Sequence, residues 1–371
     1  MDQSGEPEEL AVNPLAEDLN EIHRQFGPLK LSTVEVLLGN ALIPLVEGEN
    51  AALLEACKSI RRHIYMELGF YLPSVRFRNK ITLPLNSYEI TVGEYMAARG
   101  QVFPRQTLFF AHGESLAALR RGFPTGTSVN DPVYSMPSIW IPDEEVVEPS
   151  EHHLRFTPKA VISTHLTEVA RIHAQEIFTR SPLEALLLES QEAWRQARQA
   201  GLTEAKLRVI LGLLLRERVS IRDLDAVLLE LALHEPVKSA PGVLLDFVRR
   251  RLAPVLYQKA IDSRESLLVW KIEETQAALA VGGEAQKQQA LHLGYSRLQA
   301  FREQQAFPTF VVASRYRRAW SELMRSGSQQ VTVLALEDKP PEIRLDTLDS
   351  TLKFTGAASS HLPYPTNRWP N

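Results

Sequence analysis

Ten histidines, 45 acidic residues and one cysteine are the side chains with which these 371 residues could do metal, acid–base or thiol chemistry. Their spacing supports none of these. His165 and His173 stand eight apart, too far for the i, i+4 pair that chelates a metal from one helix face. His152 and His153 are adjacent, so they point apart on either a helix or a strand. Pairs such as Glu144-Glu145 lie among prolines and suit a solvated loop better than an acid–base dyad. Cys57 shares a helical pattern with Leu53, Leu54 and Ile60, the setting of a half-buried inert thiol. No Gly-x-x-x-x-Gly-Lys-Ser/Thr loop, Gly-x-Gly-x-x-Gly turn or Gly-x-Ser-x-Gly elbow occurs. No catalytic residue, cofactor or metal site is expected. What remains is recognition chemistry: Asp131-Pro132-Val133-Tyr134, closed by Ile139-Trp140-Ile141, then Ile162-Ser163-Thr164-His165-Leu166. This order reads as a surface turn, a buried strand and the start of a helix. An aspartate before proline forms turns whatever the function. Taken alone, Tyr134 and Trp140 read as core of a small module, and Thr164 as a residue that caps or packs its helix.

The elements that must hold these residues follow from periodicity. A strand-like run from Val34 to Val46 passes Gly39 and ends near Pro44. A helix follows, with Leu53, Leu54, Cys57, Ile60, Ile64 and Leu68 on one face and Gly69 as its stop. Val75 to Arg78 and Tyr88 to Val92 alternate as strands, the second ending at Gly93. From about 105 to 155 prolines crowd short strands at Thr107 to Phe110 and Ser138 to Ile141, a small β-rich insertion. Thr164 to Phe178 is expected to be helical and to complete the first unit. Residues 179–253 are nearly all helix. Thr203 caps Glu204 to Leu215, and Ser220 with Asp223 forms a capping box for the next helix in a helix-turn-helix arrangement. Residues 254–354 alternate as βαβαβ, suited to a small sheet with helices on one face. Residues 1–30 are expected to be a flexible linker, or a strap presenting Leu15, Leu19, Ile22 and Phe26, and 355–371 a disordered tail.

Composition sets outer bounds. Hydrophobic content of 44% and charged content of 23% are ordinary for a globular chain, and the length asks for several units. A net charge of −4 argues against a nucleic-acid binder. Asp223, Asp225 and Glu230 against Arg222 alone would repel phosphates from the second helix of the helix-turn-helix. A single cysteine permits no internal disulfide. The longest apolar runs, such as Val209 to Leu215, fall well short of the roughly 20 residues that span a bilayer, and no signal peptide is evident. The expectation is a cytoplasmic chain, or the cytoplasmic part of a larger one.

Several blocks together resemble the type III secretion export gate family (FHIPEP) of flagella and injectisomes. They are Gly39 with Leu42 to Val46; Ile60 to Arg62 with Glu67-Leu68-Gly69-Phe70; Tyr88-Glu89-Ile90; and Ala97-Ala98-Arg99-Gly100. Asp131-Pro132 with Trp140, Ser163 to Glu168, and Leu214-x-x-Glu217-x-Val219 to Leu224 complete the set. The resemblance implies the cytoplasmic domain of an inner-membrane protein, without the family's membrane half. The implied fold class is α+β with several subdomains. An α/β thioredoxin-like subdomain (31–104 with 156–178) carries the inserted small subdomain (105–155). A helix-turn-helix or winged-helix-like subdomain (179–253) and a ferredoxin-like α/β subdomain (254–354) follow.

The implied assembly is a ring of nine. Its implied partners are chaperone–substrate complexes, gatekeeper proteins and export-ATPase stalk proteins. Nucleic acid is excluded, and this segment itself makes no membrane contact. Carried over by motif, Asp131, Tyr134 and Thr164 line a docking cleft and Gly39 is a hinge. Tyr134 stands where the family has Phe, and Thr179-Arg180-Ser181-Pro182 replaces a Gly-Arg-Gln-Glu run. The Ala97 to Gly100 block fits the injectisome branch somewhat better than the flagellar one. The competing reading is a soluble α/β enzyme, which would need a pocket of titratable groups around His165 or His173.

Overall fold

The computed structural model describes residues 34–47, 51–110, 120–146, 155–234, 240–261, 266–304, 306–325 and 331–348. The expected linker, strap and tail, and His152 and His153, lie outside these residues. The first sheet has the order β2-β1-β3-β4, from β1 (Val34–Leu38), β2 (Val75–Asn79), β3 (Ser87–Val92) and β4 (Tyr95–Gln101). Alternation buries Val34, Val36 and Leu38 of β1 and Tyr88, Ile90 and Val92 of β3. β1 runs parallel to β2 and antiparallel to β3, so α1 (Ala52–Leu68) makes the crossover that a parallel pair requires. The strand-like run expected from Val34 to Val46 stops at Leu38. Asn40–Leu45 form a 3-10 turn, which tolerates the Pro44 that a strand interior would not.

The helix expected to begin near Thr164 is α2, Pro158–Ile172, and it starts six residues earlier. Thr157 caps it by accepting a bond from the Ala160 amide at 3.3 Å, and Pro158 occupies the first turn, where its missing N–H costs nothing. Thr164 therefore sits inside the helix and caps nothing. The chain breaks at His173 and resumes as α3 (Ala174–Ile177).

The inserted module is an antiparallel sheet of order β6-β7-β5-β8, from β5 (Gln106–Phe110), β6 (Thr127–Asn130), β7 (Pro137–Pro142) and β8 (Arg155–Phe156). Its period of two divides it cleanly. Leu108, Phe110 and Trp140 join the main core, and Phe109, Ile139 and Ile141 form a small core on the other face.

The helical region comprises α4 (Arg180–Glu189), α5 (Gln191–Gln199), α6 (Glu204–Arg216), α7 (Leu224–His234) and α8 (Pro241–Ala260). Thr203 caps α6 through a bond from the Lys206 amide at 3.2 Å. The capping box expected from Ser220 is replaced by Asp223, whose carboxylate accepts from the Ala226 amide at 3.1 Å. Ser220 and Ile221 are drawn away from helix because the Ile221 amide donates to the Leu68 carbonyl at 2.9 Å. One apolar core runs unbroken from Val34 to Leu252, through the first unit, one face of the insertion and the helices.

The last sheet has the order β11-β10-β9-β12, from β9 (Leu267–Lys271), β10 (Thr309–Val312), β11 (Thr332–Ala335) and β12 (Leu345–Thr347). All its pairings are parallel. The ferredoxin-like expectation fails here, because that βαββαβ pattern contains a hairpin, whereas α10 (Glu284–Glu303) and α11 (Ser314–Arg325) carry each strand back in the same direction. The expectation of helices on one face fails as well. Trp270, Phe310, Val312 and Val333 pack with Ala290, Phe301 and Trp320 of α10 and α11, while Val269, Val311 and Leu334 pack with Ala253 and Tyr257 of α8. Between β9 and α10 lies the single turn α9 (Glu274–Ala277). The boundary expected at 253/254 falls inside α8, one helix serving both the main core and this sheet.

Candidate functional site

Asp131 is not a surface residue. It is 2% exposed, and its carboxylate closes the turn from inside. Oδ1 accepts from the amides of Val133 (2.9 Å) and Tyr134 (3.0 Å), and Oδ2 from Met136 (2.8 Å). The Asp131 amide donates to the Met136 carbonyl at 2.9 Å, and Ser135 takes a left-handed conformation at φ 56°. Burial raises the Asp131 carboxyl above its ordinary range, and the three amides offset part of that rise. The side chain is thus committed to shaping the loop that presents Tyr134.

Tyr134 is half-buried against the main core. Burial lifts its phenol well above the usual tyrosine range, with the Glu168 carboxylate adding to the rise and Arg171 opposing it. Thr164, Glu168 and Arg171 stand at i, i+4 and i+7 of α2, one stripe of the helix. Tyr134 thus lies within electrostatic reach of the helix stripe on which half-buried Thr164 also stands. The Asp131 charge also acts on Tyr88, which is bonded to the same helix. Burial first, then the Asp131 charge, raises the Tyr88 phenol, whose Oη lies 2.8 Å from His165 Nδ1.

His165 is 8% exposed, and burial pushes its imidazole down to about 4. Unfolded, it would titrate near 6.5, so between these values the unfolded chain binds the proton that the folded one refuses. The stability contributed by the neutral ring is complete above about pH 6.5 and is lost as pH falls towards 4, about 3 kcal/mol in all. Urea unfolding of His165→Gln is expected to show a flatter loss than wild type across that window. Equal slopes would place the acid sensitivity elsewhere.

Around Tyr134 the stripe continues into a buried ion network that sequence reasoning did not assemble. Arg171 Nε donates to Glu67 Oε2 at 2.9 Å, Nη1 pairs with Glu168, and Nη2 lies 2.7 Å from His63 Nε2. Arg218 Nη2 stands 3.9 Å from Glu168 Oε2. Burial would raise the Glu67 carboxyl, but His63 and Arg171 outweigh it and hold it at about 2. Arg218 holds the left-handed φ of 56° in the link between α6 and α7. Beside it, the ideal Cβ position on Gly69 falls 2.2 Å from the Arg222 amide nitrogen, so this link lies directly on the end of α1. Glu67, Glu168 and the Glu217 to Leu224 link were visible as separate blocks. Their partnership spans 104 residues between Glu67 and Arg171, a separation that periodicity cannot bridge.

Gly39 lies at φ −69° and ψ 157°, extended backbone open to any residue. What requires glycine there is proximity: a Cβ would fall 2.2 Å from the Pro84 carbonyl oxygen. Burial pushes the Cys57 thiol up to about 11, as expected of an unreactive one. Among the described residues no helix is long and apolar enough to cross a membrane.

Fold and junction together define a mixed α/β protein of several sheets, in which distant sequence blocks lock the inserted module, the first unit and the helices to one another. The chain belongs to the FHIPEP family, the export gate family named above, whose profile matches residues 3–344. It is similar to the flagellar biosynthesis protein FlhA of Helicobacter pylori, 25% identical over 343 residues that cover 86% of this chain and 46% of that protein. FlhA of Bacillus subtilis is 26% identical over 283 residues, covering 72% of this chain and 41% of that protein. The chain thus spans less than half the length of these relatives. Its fold is that of Chlamydia pneumoniae CdsV (TM-score 0.68, 19% identity, covering 86% and 96% of the two chains). The nonameric EscV cytosolic domain from the type III secretion system also shares it (TM-score 0.60, 15% identity, covering 86% and 97%).

Proposed function

We propose that this chain is the cytoplasmic part of a type III secretion export gate. It assembles as a nine-membered ring on the cytoplasmic face of the inner membrane. There it receives chaperone–substrate complexes, gatekeeper proteins and export-ATPase stalk proteins, and orders their export. Tyr134 and Thr164 offer the contact surface, Asp131 fixes the loop that carries Tyr134, and no molecule is transformed. The observation that carries this reading is family membership across residues 3–344, joined to a fold shared with a nonameric cytosolic domain. The solved complex of Chlamydia pneumoniae CdsV with CdsO shows that one such relative binds a further protein. His165, around which an enzyme site would have formed, is instead buried and bonded to Tyr88. The Ala97 to Gly100 block favours the injectisome branch slightly over the flagellar one, and complementation of injectisome and flagellar deletion strains tests that preference.

Tyr134→Ala separates docking from packing. If the ring anchors a partner, titration calorimetry with a chaperone–substrate complex of the same secretion system loses about 2 kcal/mol or more. Thermal unfolding should then stay close to wild type. A loss of stability as large as the loss of binding would make Tyr134 a core residue and sink the docking site.

A further inference from the structure

We infer that Glu217 is a latch that sets the angle of the C-terminal sheet against the rest of the molecule. The inference is independent of what the protein docks. Leu244, Leu245, Val248 and Leu252 of α8 belong to the main core, whereas Ala253 and Tyr257 pack on the C-terminal sheet. The Tyr257 hydroxyl donates to the Ala335 carbonyl at 2.6 Å, and Arg249 Nη2 to the Val333 carbonyl at 3.3 Å. Arg249, Ala253 and Tyr257 recur every four residues, so the sheet rides on one stripe of α8. A helix lying on a sheet fixes a line of contact; it does not by itself fix rotation about that line. A second attachment, away from the helix axis, is needed to do so.

Glu217 provides it. It follows the last residue of α6, anchored in the main core, and its Oε2 lies 2.7 Å from both Arg249 Nη1 and Arg317 Nη1. Arg317 belongs to α11 of the C-terminal unit, and its Nη2 donates to Asp246 at 2.9 Å. Side-chain exposure is 4% for Arg317, 6% for Arg249 and 10% for Glu217, so one carboxylate oxygen serves two guanidinium groups that water barely reaches. The contact to Arg249 has ion-pair distance without hydrogen-bond alignment. Burial, which outweighs the nearby Glu217 charge, brings the Arg249 guanidinium down to about 10. Small grooves flank the cluster on two sides. One groove is lined by Leu213, Glu217, Leu245 and Arg318, the other by Arg249, Tyr257, Arg317 and Asp338. Of the other ion pairs across this junction, Arg216–Glu322 and Arg318–Asp246 stand at 4.0 Å, whereas Arg250–Asp338 at 3.3 Å ties the C-terminal unit to α8 itself. Losing Glu217 leaves two buried cations without their shared anion and leaves the sheet free to turn on α8.

Spin labels at Val209→Cys on α6 and Tyr295→Cys on α10, in a Cys57→Ala background, report the angle by pulsed electron resonance. Both label sites are exposed, at 47% and 40%. The parent is expected to give one narrow distance distribution, and Glu217→Gln one about twofold broader or split. Hydrogen exchange gives the second measurement. Strands β9 to β11 of Glu217→Gln should exchange about tenfold faster, while β1 to β4 keep their protection. Should Glu217→Gln not fold, Arg317→Gln, which cuts the link to α11 and spares the Arg249 contact, is expected to show the same pair of changes. A folded variant with an unchanged distribution overturns the latch. So does loss of protection in both sheets together, which would make the cluster a general folding element.

Discussion

Arg171→Ala is expected to lower the unfolding free energy by about 3–5 kcal/mol, because it strands two carboxylates in a region that water does not restore. Glu67 and Glu168 have side-chain exposures of 14% and 11%, and Arg171 itself 11%. Burial works against the guanidinium, yet Glu168 and Glu67 together hold its pKa above the ordinary arginine value. The attraction therefore outweighs burial at Arg171 while both carboxylates are present, and removing the cation they share reverses that balance. Joint replacement, Arg171→Met with Glu67→Gln and Glu168→Gln, is expected to recover part of the loss, since both stranded carboxylates are then gone and only Arg218, which faced Glu168 at 3.9 Å, is left without its anion. Urea midpoints with unchanged slopes measure both effects. A cost for Arg171→Ala of about 1 kcal/mol or less, the range of exposed pairs, would show that the network is solvated in solution.

Gly69→Ala is expected to cost about 2–4 kcal/mol through two separate causes. The residue closes α1 in the left-handed region at φ 85°, donating its amide to the Tyr65 carbonyl at 2.9 Å, and alanine there is strained by about 1 kcal/mol. The rest is steric. A Cβ would fall 2.2 Å from Arg222 N and 2.5 Å from Arg222 Cα, and backbone cannot yield as a side-chain tip can. Gly93 supplies the control. It too has a positive φ, 59°, but a Cβ there meets nothing within 4 Å, so Gly93→Ala should lose only the conformational part. Near-equal losses at the two glycines, read from thermal unfolding, would mean that the link from α6 to α7 does not rest on the end of α1.

Much of the local structure was legible. The stripe from Leu53 to Leu68 with Gly69 as its stop, the alternating strands, the Thr203 cap and the helices read at 284–304 and 317–325, the second of which starts three residues earlier, follow from short-range rules of periodicity and capping. Errors arose where a distant contact overrode a local signal. Ser220 had the right neighbours for a capping box, but Ile221 was claimed by the Leu68 carbonyl. Asp131 had the composition of a surface turn, yet its carboxylate is turned inward, bonded to the amides of its own loop and 2% exposed. The C-terminal alternation fitted βαβαβ but did not reveal a fourth strand, because the three residues of β12 carry too little pattern to distinguish them from a loop. The face that α8 covers was equally hidden, since one helix with two apolar stripes looks like any buried helix.

By itself the sequence determined most of the elements and membership of the family, since each depends on neighbouring residues or on blocks whose order along the chain is visible. Only the tertiary structure decided which blocks meet. Glu67, Arg171, Glu168 and Arg218 form one network, and Glu217 gathers Arg249 and Arg317 across the last junction. An ion pair carries no periodicity, so nothing in the order of residues distinguishes a solvated charge from a buried one. Burial does that, and burial exists only once the chain has closed around the pair.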